Sequence, residues 1–204
     1  MDLHRASKNA DWETIEPSQR TWVQNVAAAT KGFVTPPNIL TIIGLGIVVW
    51  GLVALLAHSF WLGAILLVIG RLLDIADGLL AQATKTKSPL GELFDAAADK
   101  IGTFLTILVL LFADVTYWWL IAALIVPQLI IPFVVLYKKR KHIKTHPTRQ
   151  GKLSMAFAWV SIVGLIVVKA LGGFTPLAVV IDALSGVSIV LGFYALWQYA
   201  TGRD

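Results

Sequence analysis

The sequence contains no cysteine, and this absence removes several kinds of chemistry at once. Disulfide bonds, thiolate-bound metals and a cysteine nucleophile are all excluded. Charge is also scarce, because only 14% of the 204 residues are charged, whereas 57% are hydrophobic. The mean hydropathy is +0.74. This composition predicts an integral membrane protein and excludes an ordinary soluble domain.

Six apolar segments follow the break at 35–38, and each is near the roughly 20 residues that a helix needs to cross a bilayer. We place them at about 38–57, 60–81, 91–113, 116–137, 152–171 and 175–198. His58-Ser59, Ala113-Asp114-Val115 and Gly172-Gly173 are predicted turns, which makes neighbouring helices antiparallel. We therefore expect an all-α membrane protein, with six transmembrane helices in a domain at 38–204.

The segment 1–37 is predicted to be a cytoplasmic tail followed by a juxtamembrane helix. Residues 1–16 have the composition of a loose polar tail, and they lack the basic and apolar order of a cleaved signal peptide. A short helix is expected from Pro17 to about Lys31. Its apolar face is formed by Trp22, Val23, Val26 and Ala27. This pattern favours an amphipathic helix at the membrane interface, and a solvated helix with a weak apolar stripe is the alternative.

The basic residues indicate the orientation of the spans. They concentrate in 1–37, 82–90, 138–151 and 199–204, which share one side of the membrane, whereas Lys169 lies near the other side. The positive-inside rule then places both termini in the cytoplasm. The net charge of +5 is explained by this asymmetry and by attraction to anionic lipids, so no nucleic-acid partner is expected.

Four aspartates stand out in this apolar chain: Asp74 and Asp77 in the second span, and Asp95 and Asp99 in the third. Spacings of i, i+3 and i, i+4 place each pair on one helical face. Carboxylates within a membrane are costly, so they usually face a cavity or a partner. Four of them together require a cation, and hard oxygen ligands suit Mg2+, Mn2+ or Ca2+. The topology predicts that both pairs lie near the cytoplasmic ends of their helices.

Small residues accompany both pairs, namely Gly78, Ala81 and Gly91. They can serve close helix packing or the approach of a ligand, and their position beside two acidic faces favours a ligand cleft. Divalent cations at a membrane surface are typical of phosphate chemistry, in which they neutralise developing charge. A carboxylate at the edge of the cluster can accept a proton from an attacking hydroxyl.

The pattern Asp-x2-Asp-Gly-x2-Ala-x-(x8)-Gly-x3-Asp-x3-Asp at 74–99 resembles the motif of the CDP-alcohol phosphotransferases. Six spans, Pro37-Asn38-x-x-Thr41 before span one and Gly151-Lys152 at span five are also similar to this family. The resemblance implies transfer of a phosphatidyl group from CDP-diacylglycerol to an alcohol, with release of CMP, in phospholipid biosynthesis. It also implies two Mg2+ or Mn2+ ions per site and a homodimer.

Carried over by position, the resemblance implies that Asp74, Asp77, Asp95 and Asp99 bind metal and that Asp99 is also the general base. The residues implied to bind the CDP-lipid are Asn38, Thr41, Gly78, Ala81, Gln82 and Gly91. Gln82 departs from the family pattern, which has arginine there. Because glutamine carries no charge, its contact with a diphosphate is expected to be weaker.

The acceptor is less determined, since glycerol 3-phosphate, inositol phosphate, serine and phosphatidylglycerol all fit the reaction. Bacterial phosphatidylglycerophosphate synthases resemble the chain in length and in the Gly-Lys pair, although they carry Arg-Glu where this chain has Pro127-Gln128. Glycerol 3-phosphate is therefore the leading candidate for the acceptor. The expected location of the protein is a bacterial inner membrane. The residues expected to hold the acceptor are Arg140, Arg149 and Lys152, whose alternative role is topogenic charge.

Three other functions compete with this one. An intramembrane prenyltransferase also binds a diphosphate through aspartates, but its two motifs are far apart in sequence. A divalent-cation transporter or channel accounts for intramembrane carboxylates. It also requires access from both sides, and the outer halves of the spans are almost free of ionisable residues. A lipid-binding scaffold would not depend on Asp99.

Overall fold

The computed structural model describes residues 10–113, 115–141 and 148–202, except for the side chains at positions 96, 136, 139, 140 and 175. Within these ranges the fold is helical and contains no β-strand, as predicted. Two short 3-10 helices, Asp11–Thr14 and Pro17–Gln19, precede the α-helices. The α-helices are α1 (Trp22–Ala29), α2 (Pro36–Leu56), α3 (Phe60–Ala83), α4 (Pro89–Phe112), α5 (Trp118–Arg140), α6 (Arg149–Ala170) and α7 (Thr175–Thr201).

The long helices begin and end within a few residues of the predicted spans. His58 has a left-handed φ of 59° between α2 and α3, and Gly172 and Gly173 have φ of 69° and 85° after α6. Gly172 and Gly173 donate to the carbonyls of Lys169 and Val168, which is how a left-handed residue closes a helix C-terminus. Both turns were predicted. The remaining predicted turn contains Asp114, which lies outside the described residues.

Within the part of the chain that the structure describes, four helices are long and apolar enough to cross a membrane: Pro36–Leu56, Trp118–Val135, Arg149–Ala170 and Pro176–Thr201. Their mean hydropathy is 2.0 to 2.7, and at most 33% of each is buried inside the protein. Such outward-facing apolar surface is stable in lipid and not in water, which identifies an integral membrane protein. Helices α3 and α4 are each 24 residues long but carry several charged residues, so the count of six spans stays a prediction.

The N-terminal segment differs from its prediction. The helix begins at Trp22 and not at Pro17, because Thr21 and Gln24 form a capping box in which each side chain accepts from the other's backbone N–H. Gln24 and Ala27 are buried while Trp22 is 79% exposed, so the predicted apolar face is not uniform. Residues 10–16 are not loose, since Trp12 is buried. Whether α1 lies on the membrane stays a prediction.

The chain forms two compact units. The first contains residues 10–54 and 65–106, which include α1, most of α2 and the parts of α3 and α4 that carry the aspartates. Helices α2 and α3 approach closely here. A Cβ on Gly70 would lie 2.4 Å from Val48 Cγ2 and 3.3 Å from the Gly44 carbonyl oxygen. Glycine at position 70 therefore permits the contact that brings Thr41 of α2 toward the acidic face of α3.

The second unit contains residues 55–64 and 107–202. Ser154 of α6 and Ser188 of α7 each donate a hydroxyl proton to the other's carbonyl, at 2.9 and 3.0 Å. Gln128 of α5 donates to Ser154 Oγ at 2.9 Å. Because such bonds replace water in a membrane interior, they fix how α5, α6 and α7 pack. This polar contact was not predicted, since serines in apolar helices carry no periodic signal.

Candidate active site

Helices α3 and α4 bring three carboxylates together in the first unit. One oxygen each of Asp74, Asp77 and Asp95 lies within 4.8 Å of the others. Asp77 is only 4% exposed, Asp74 is partly exposed and Asp95 is exposed. Three like charges this close repel strongly, and a divalent cation would relieve the repulsion. The oxygen donor set fits Mg2+ or Mn2+, so the residues present are compatible with the implied metal.

Thr41 supports the most buried of these carboxylates. Its hydroxyl oxygen lies 2.5 Å from Asp77 Oδ2 and 3.0 Å from the Pro37 carbonyl oxygen. The hydroxyl has one proton to donate, and the charged carboxylate at the shorter distance is the stronger acceptor. Thr41 is itself buried, with 7% exposure. The contact therefore fixes the orientation of Asp77, as a group beside a metal ligand does.

Arg71, a residue of α3, lies near carboxylates of both α3 and α4. It forms an ion pair with Asp74, and its Nη1 is 3.8 Å from Asp99 Oδ1. Lys100 Nζ is 3.9 Å from Asp99 Oδ2, so two cations lie beside this carboxylate. Asp99 follows Asp95 by one turn of α4 and is outside the group of three oxygens.

A cavity of about 210 Å³ lies beside the carboxylates. It is lined by Pro37, Asn38, Thr41, Asp77, Gly78, Ala81, Gln82, Thr86, Lys87, Ser88, Gly91, Glu92 and Asp95. The structure thus places all six residues expected to bind the CDP-lipid around one cavity, together with two of the expected metal ligands. Their individual roles remain proposals.

Asn38 and Gly91 shape one wall of this cavity. Asn38 is 6% exposed, and its side-chain amide donates to the carbonyls of Gly32 and Phe33 at 2.9 and 3.0 Å. A Cβ on Gly91 would lie 3.3 Å from Asn38 Oδ1 and 3.1 Å from Ser88 Oγ. Glycine therefore allows the first turn of α4 to lie against the start of α2. The Asn38 amide holds the backbone of Gly32 and Phe33, which precede α2.

Five lining residues were not predicted: Pro37, Thr86, Lys87, Ser88 and Glu92. Three of them belong to the α3–α4 loop (residues 84–88), in which Lys85 takes a left-handed φ of 51°. Thr86 N–H then donates to the Ala81 carbonyl at 3.1 Å, which closes the helix. The motif treats this loop as a spacer of unspecified residues, so the sequence indicated its length and its basic charge but no residue of the site.

The residues expected to bind the acceptor belong to the second unit. Arg149 and Lys152 are exposed in the first turn of α6, whose N-terminus is capped by Thr148 Oγ1 accepting from Gly151 N–H at 3.1 Å. Tyr199 accepts from the Thr148 N–H at 2.9 Å and holds this start in place. The side chain of Arg140 lies outside the described residues. The acceptor role of all three stays a prediction.

Comparison with known proteins identifies the family. The sequence model of CDP-alcohol phosphatidyltransferases matches residues 34–194. An uncharacterised CDP-alcohol phosphatidyltransferase class-I family protein of Schizosaccharomyces pombe is 37% identical over 84 residues, which cover 35% of this chain and 22% of that protein. Proteins of Mycobacterium bovis and Mycobacterium tuberculosis named "Putative cardiolipin synthase" are 32% identical over 92 residues. These cover 45% of this chain and 44% of each relative, so the match spans less than half of the relatives' length.

Proposed function

Because the chain belongs to the CDP-alcohol phosphatidyltransferase family, we propose that it transfers a phosphatidyl group from CDP-diacylglycerol to an alcohol and releases CMP. One observation carries the proposal. The cavity that contains the six motif residues is lined by Asp77 and Asp95, which also belong to the group of three carboxylates. A nucleotide diphosphate in this cavity would therefore lie next to the position where cations gather.

In the proposed site, Asp74, Asp77 and Asp95 hold the divalent metal, with Asp99 at the edge of the same set. Bound Mg2+ or Mn2+ would neutralise the diphosphate and stabilise the charge that develops on the leaving CMP. The carboxylates alone would repel an anionic substrate. Substrate binding is thus expected to depend on metal, which the family resemblance puts at two ions per site.

The reaction conserves atoms and charge as follows. An acceptor hydroxyl oxygen forms a bond to the phosphorus that carries diacylglycerol, and the bond from that phosphorus to the bridging diphosphate oxygen breaks. CMP leaves with the bridging oxygen. Asp99 accepts the hydroxyl proton as general base, and Arg71 and Lys100 lie beside its carboxylate.

Glycerol 3-phosphate remains the proposed acceptor. Phosphatidylglycerol is the second candidate, and the observation in its favour is the name of the mycobacterial relatives, since phosphatidyl transfer to phosphatidylglycerol makes cardiolipin. Both acceptors combine a glycerol hydroxyl with a phosphate. The exposed cations Arg149 and Lys152 would suit either phosphate, and Arg140 is proposed beside them on sequence grounds. We also propose a homodimer with its site and termini on the cytoplasmic side of the membrane.

The test is CMP release by the purified full chain in detergent, with CDP-diacylglycerol, Mg2+ or Mn2+ and one acceptor at a time. Glycerol 3-phosphate, phosphatidylglycerol, inositol phosphate and serine form the panel, and the lipid product is identified by mass spectrometry. We expect metal-dependent CMP release with one of the two glycerol acceptors. Absence of CMP with every acceptor would contradict the proposed reaction.

Family membership favours this reaction over the other two activities considered. An intramembrane prenyltransferase is tested by replacing CDP-diacylglycerol with a prenyl diphosphate in the same assay. A cation transporter is tested by metal flux into proteoliposomes. Flux that is lost in Asp95→Asn, without any CMP release by the wild type, would support transport instead.

A further inference from the structure

Residues of the N-terminal segment contact the α3–α4 loop, part of which lines the cavity. We call Asp11, Trp12 and Gln24 the N-terminal clasp. The Asp11 N–H donates to the Lys87 carbonyl at 2.9 Å, and the Lys87 N–H donates to Asp11 Oδ2 at 3.1 Å. Gln24 Nε2 donates to the Thr84 carbonyl at 3.1 Å. The backbone of the loop is therefore held at both of its ends by residues far away in sequence.

Trp12 adds an apolar contact to this clasp. It is 4% exposed, and a Cβ on Gly32 would lie 2.8 Å from its ring and 2.7 Å from Ser88 Oγ. Gly32 also has a φ of 83°, a conformation that other residues rarely adopt. Glycine at position 32 thus leaves room for both Trp12 and Ser88. Burial of a tryptophan ring is a large stabilising contribution for so short a segment.

The clasp holds the backbone of Lys87, which is a positively charged residue of the cavity lining. Among the described residues that line the cavity, Lys87 alone carries a positive side chain, whereas Asp77, Glu92 and Asp95 are acidic and Gln82 is neutral. The cavity extends along α3 and α4, from Asp77 and Asp95 to the loop. A diphosphate bound near the carboxylates would share this cavity with Lys87, a flexible cation at its loop end.

We propose that Lys87 binds the diphosphate of the CDP-linked lipid and that Asp11 is a positioning residue, which fixes the Lys87 backbone at the cavity. This inference rests on the proposed function for the identity of the ligand. A lysine acts here as a point charge toward phosphate. Without the Asp11 carboxylate, the loop keeps the bond from the residue 11 N–H and the bond from Gln24, and its Lys87 N–H gains freedom that substrate binding must then remove.

The experiment compares kcat and KM for CDP-diacylglycerol in the full-length protein. Lys87→Gln removes the cation, and Lys85→Gln is its control, because Lys85 is exposed in the same loop and is not among the described lining residues. We expect Lys87→Gln to raise KM about tenfold, which is the lower range for a hydrogen bond to a charged group, with kcat little changed. Lys85→Gln should stay within about twofold, as surface charges do. Equal KM in the two variants would overturn the role of Lys87.

The positioning role of Asp11 is tested with a separate set of matched variants. Asp11→Ala should raise KM about threefold to tenfold because it removes one hydrogen bond. Asp11→Asn keeps an accepting oxygen and should restore KM, and Glu13→Gln removes an exposed acidic charge from the same short helix without a loop contact among the described residues. If Asp11→Ala lowered kcat and KM remained unchanged, or if Asp11→Asn failed to restore KM, the positioning role would be wrong.

Calorimetric binding of CDP in the presence of Mn2+ separates this inference from the proposed reaction. Wild type that binds CDP about tenfold more tightly than Lys87→Gln supports the role of Lys87, even if no acceptor yields CMP. Equal CDP affinity overturns it, even if the enzyme is active. Wild type that binds no CDP contradicts both.

Discussion

The contact between Thr41 and Asp77 gives the sharpest test of the metal site. Thr41→Val keeps the shape of the side chain and removes its hydroxyl. The Pro37 carbonyl can still accept the backbone N–H of residue 41, as in any helix, so the loss is confined to the 2.5 Å contact with Asp77 Oδ2. Asp77 is 4% exposed and cannot replace that contact readily with water.

A hydrogen bond to a charged group contributes about 1.5–3 kcal/mol, which corresponds to roughly 10- to 100-fold in an equilibrium constant. The same range is typical when a group that orients a metal ligand is removed. We therefore expect Thr41→Val to weaken Mn2+ binding about 10- to 100-fold, measured by electron paramagnetic resonance on the purified protein without substrate. Thr41→Ser keeps the hydroxyl and should bind Mn2+ nearly as wild type does. If Thr41→Val bound Mn2+ with wild-type affinity, the proposal that Asp77 is a metal ligand oriented by Thr41 would be refuted.

Three further results are expected. Asp99→Asn should lower kcat about 100- to 10,000-fold, which is the usual contribution of a general base, while CDP and Mn2+ still bind. Loss of Mn2+ binding in this variant would instead indicate that Asp99 is chiefly a metal ligand. Gly192→Ala should destabilise the fold by about 1–3 kcal/mol in a thermal melt, because its Cβ would lie 2.8 Å from Ser154 Oγ. Gly186→Ala in the same helix is the control, since its Cβ meets no described atom within 4 Å. Mn2+ at about 100 times its Kd should raise stability by about 2.7 kcal/mol, and Asp95→Asn should lose most of that rise.

The helices and the gathering of the aspartates could be predicted because both follow from local regularities. Apolar stretches of bilayer length define the long helices, and a spacing of three or four residues puts each acidic pair on one face. A short loop between antiparallel helices then brings Asp77 and Asp95 to a common cavity. Each of these steps needs only residues that are near one another in sequence.

The N-terminal clasp could not be predicted by that reasoning. Asp11 and Lys87 are 76 residues apart, and Gln24 and Thr84 are 60 apart. In each contact the partner contributed by the loop is a backbone group, which every residue offers, so no side-chain pattern in the loop marks it. The polar composition of 1–16 predicted a loose tail for the same reason. For residues 10–16, the part of that segment that the structure describes, the prediction was wrong because one buried tryptophan outweighs the polar character of its neighbours.

The three clustered carboxylates differ in what holds them, and this difference indicates how the site works. On α3, Asp77 is fixed by Thr41 and Asp74 by Arg71, so this helix presents an arranged pair of oxygens before any cation binds. On α4, Asp95 is exposed and has no hydrogen bond or ion pair with a described residue. An exposed carboxylate can change rotamer at little cost, whereas a buried, bonded one cannot. In the proposed metal site, α3 would therefore supply the fixed carboxylates and α4 would supply Asp95 as the adjustable one.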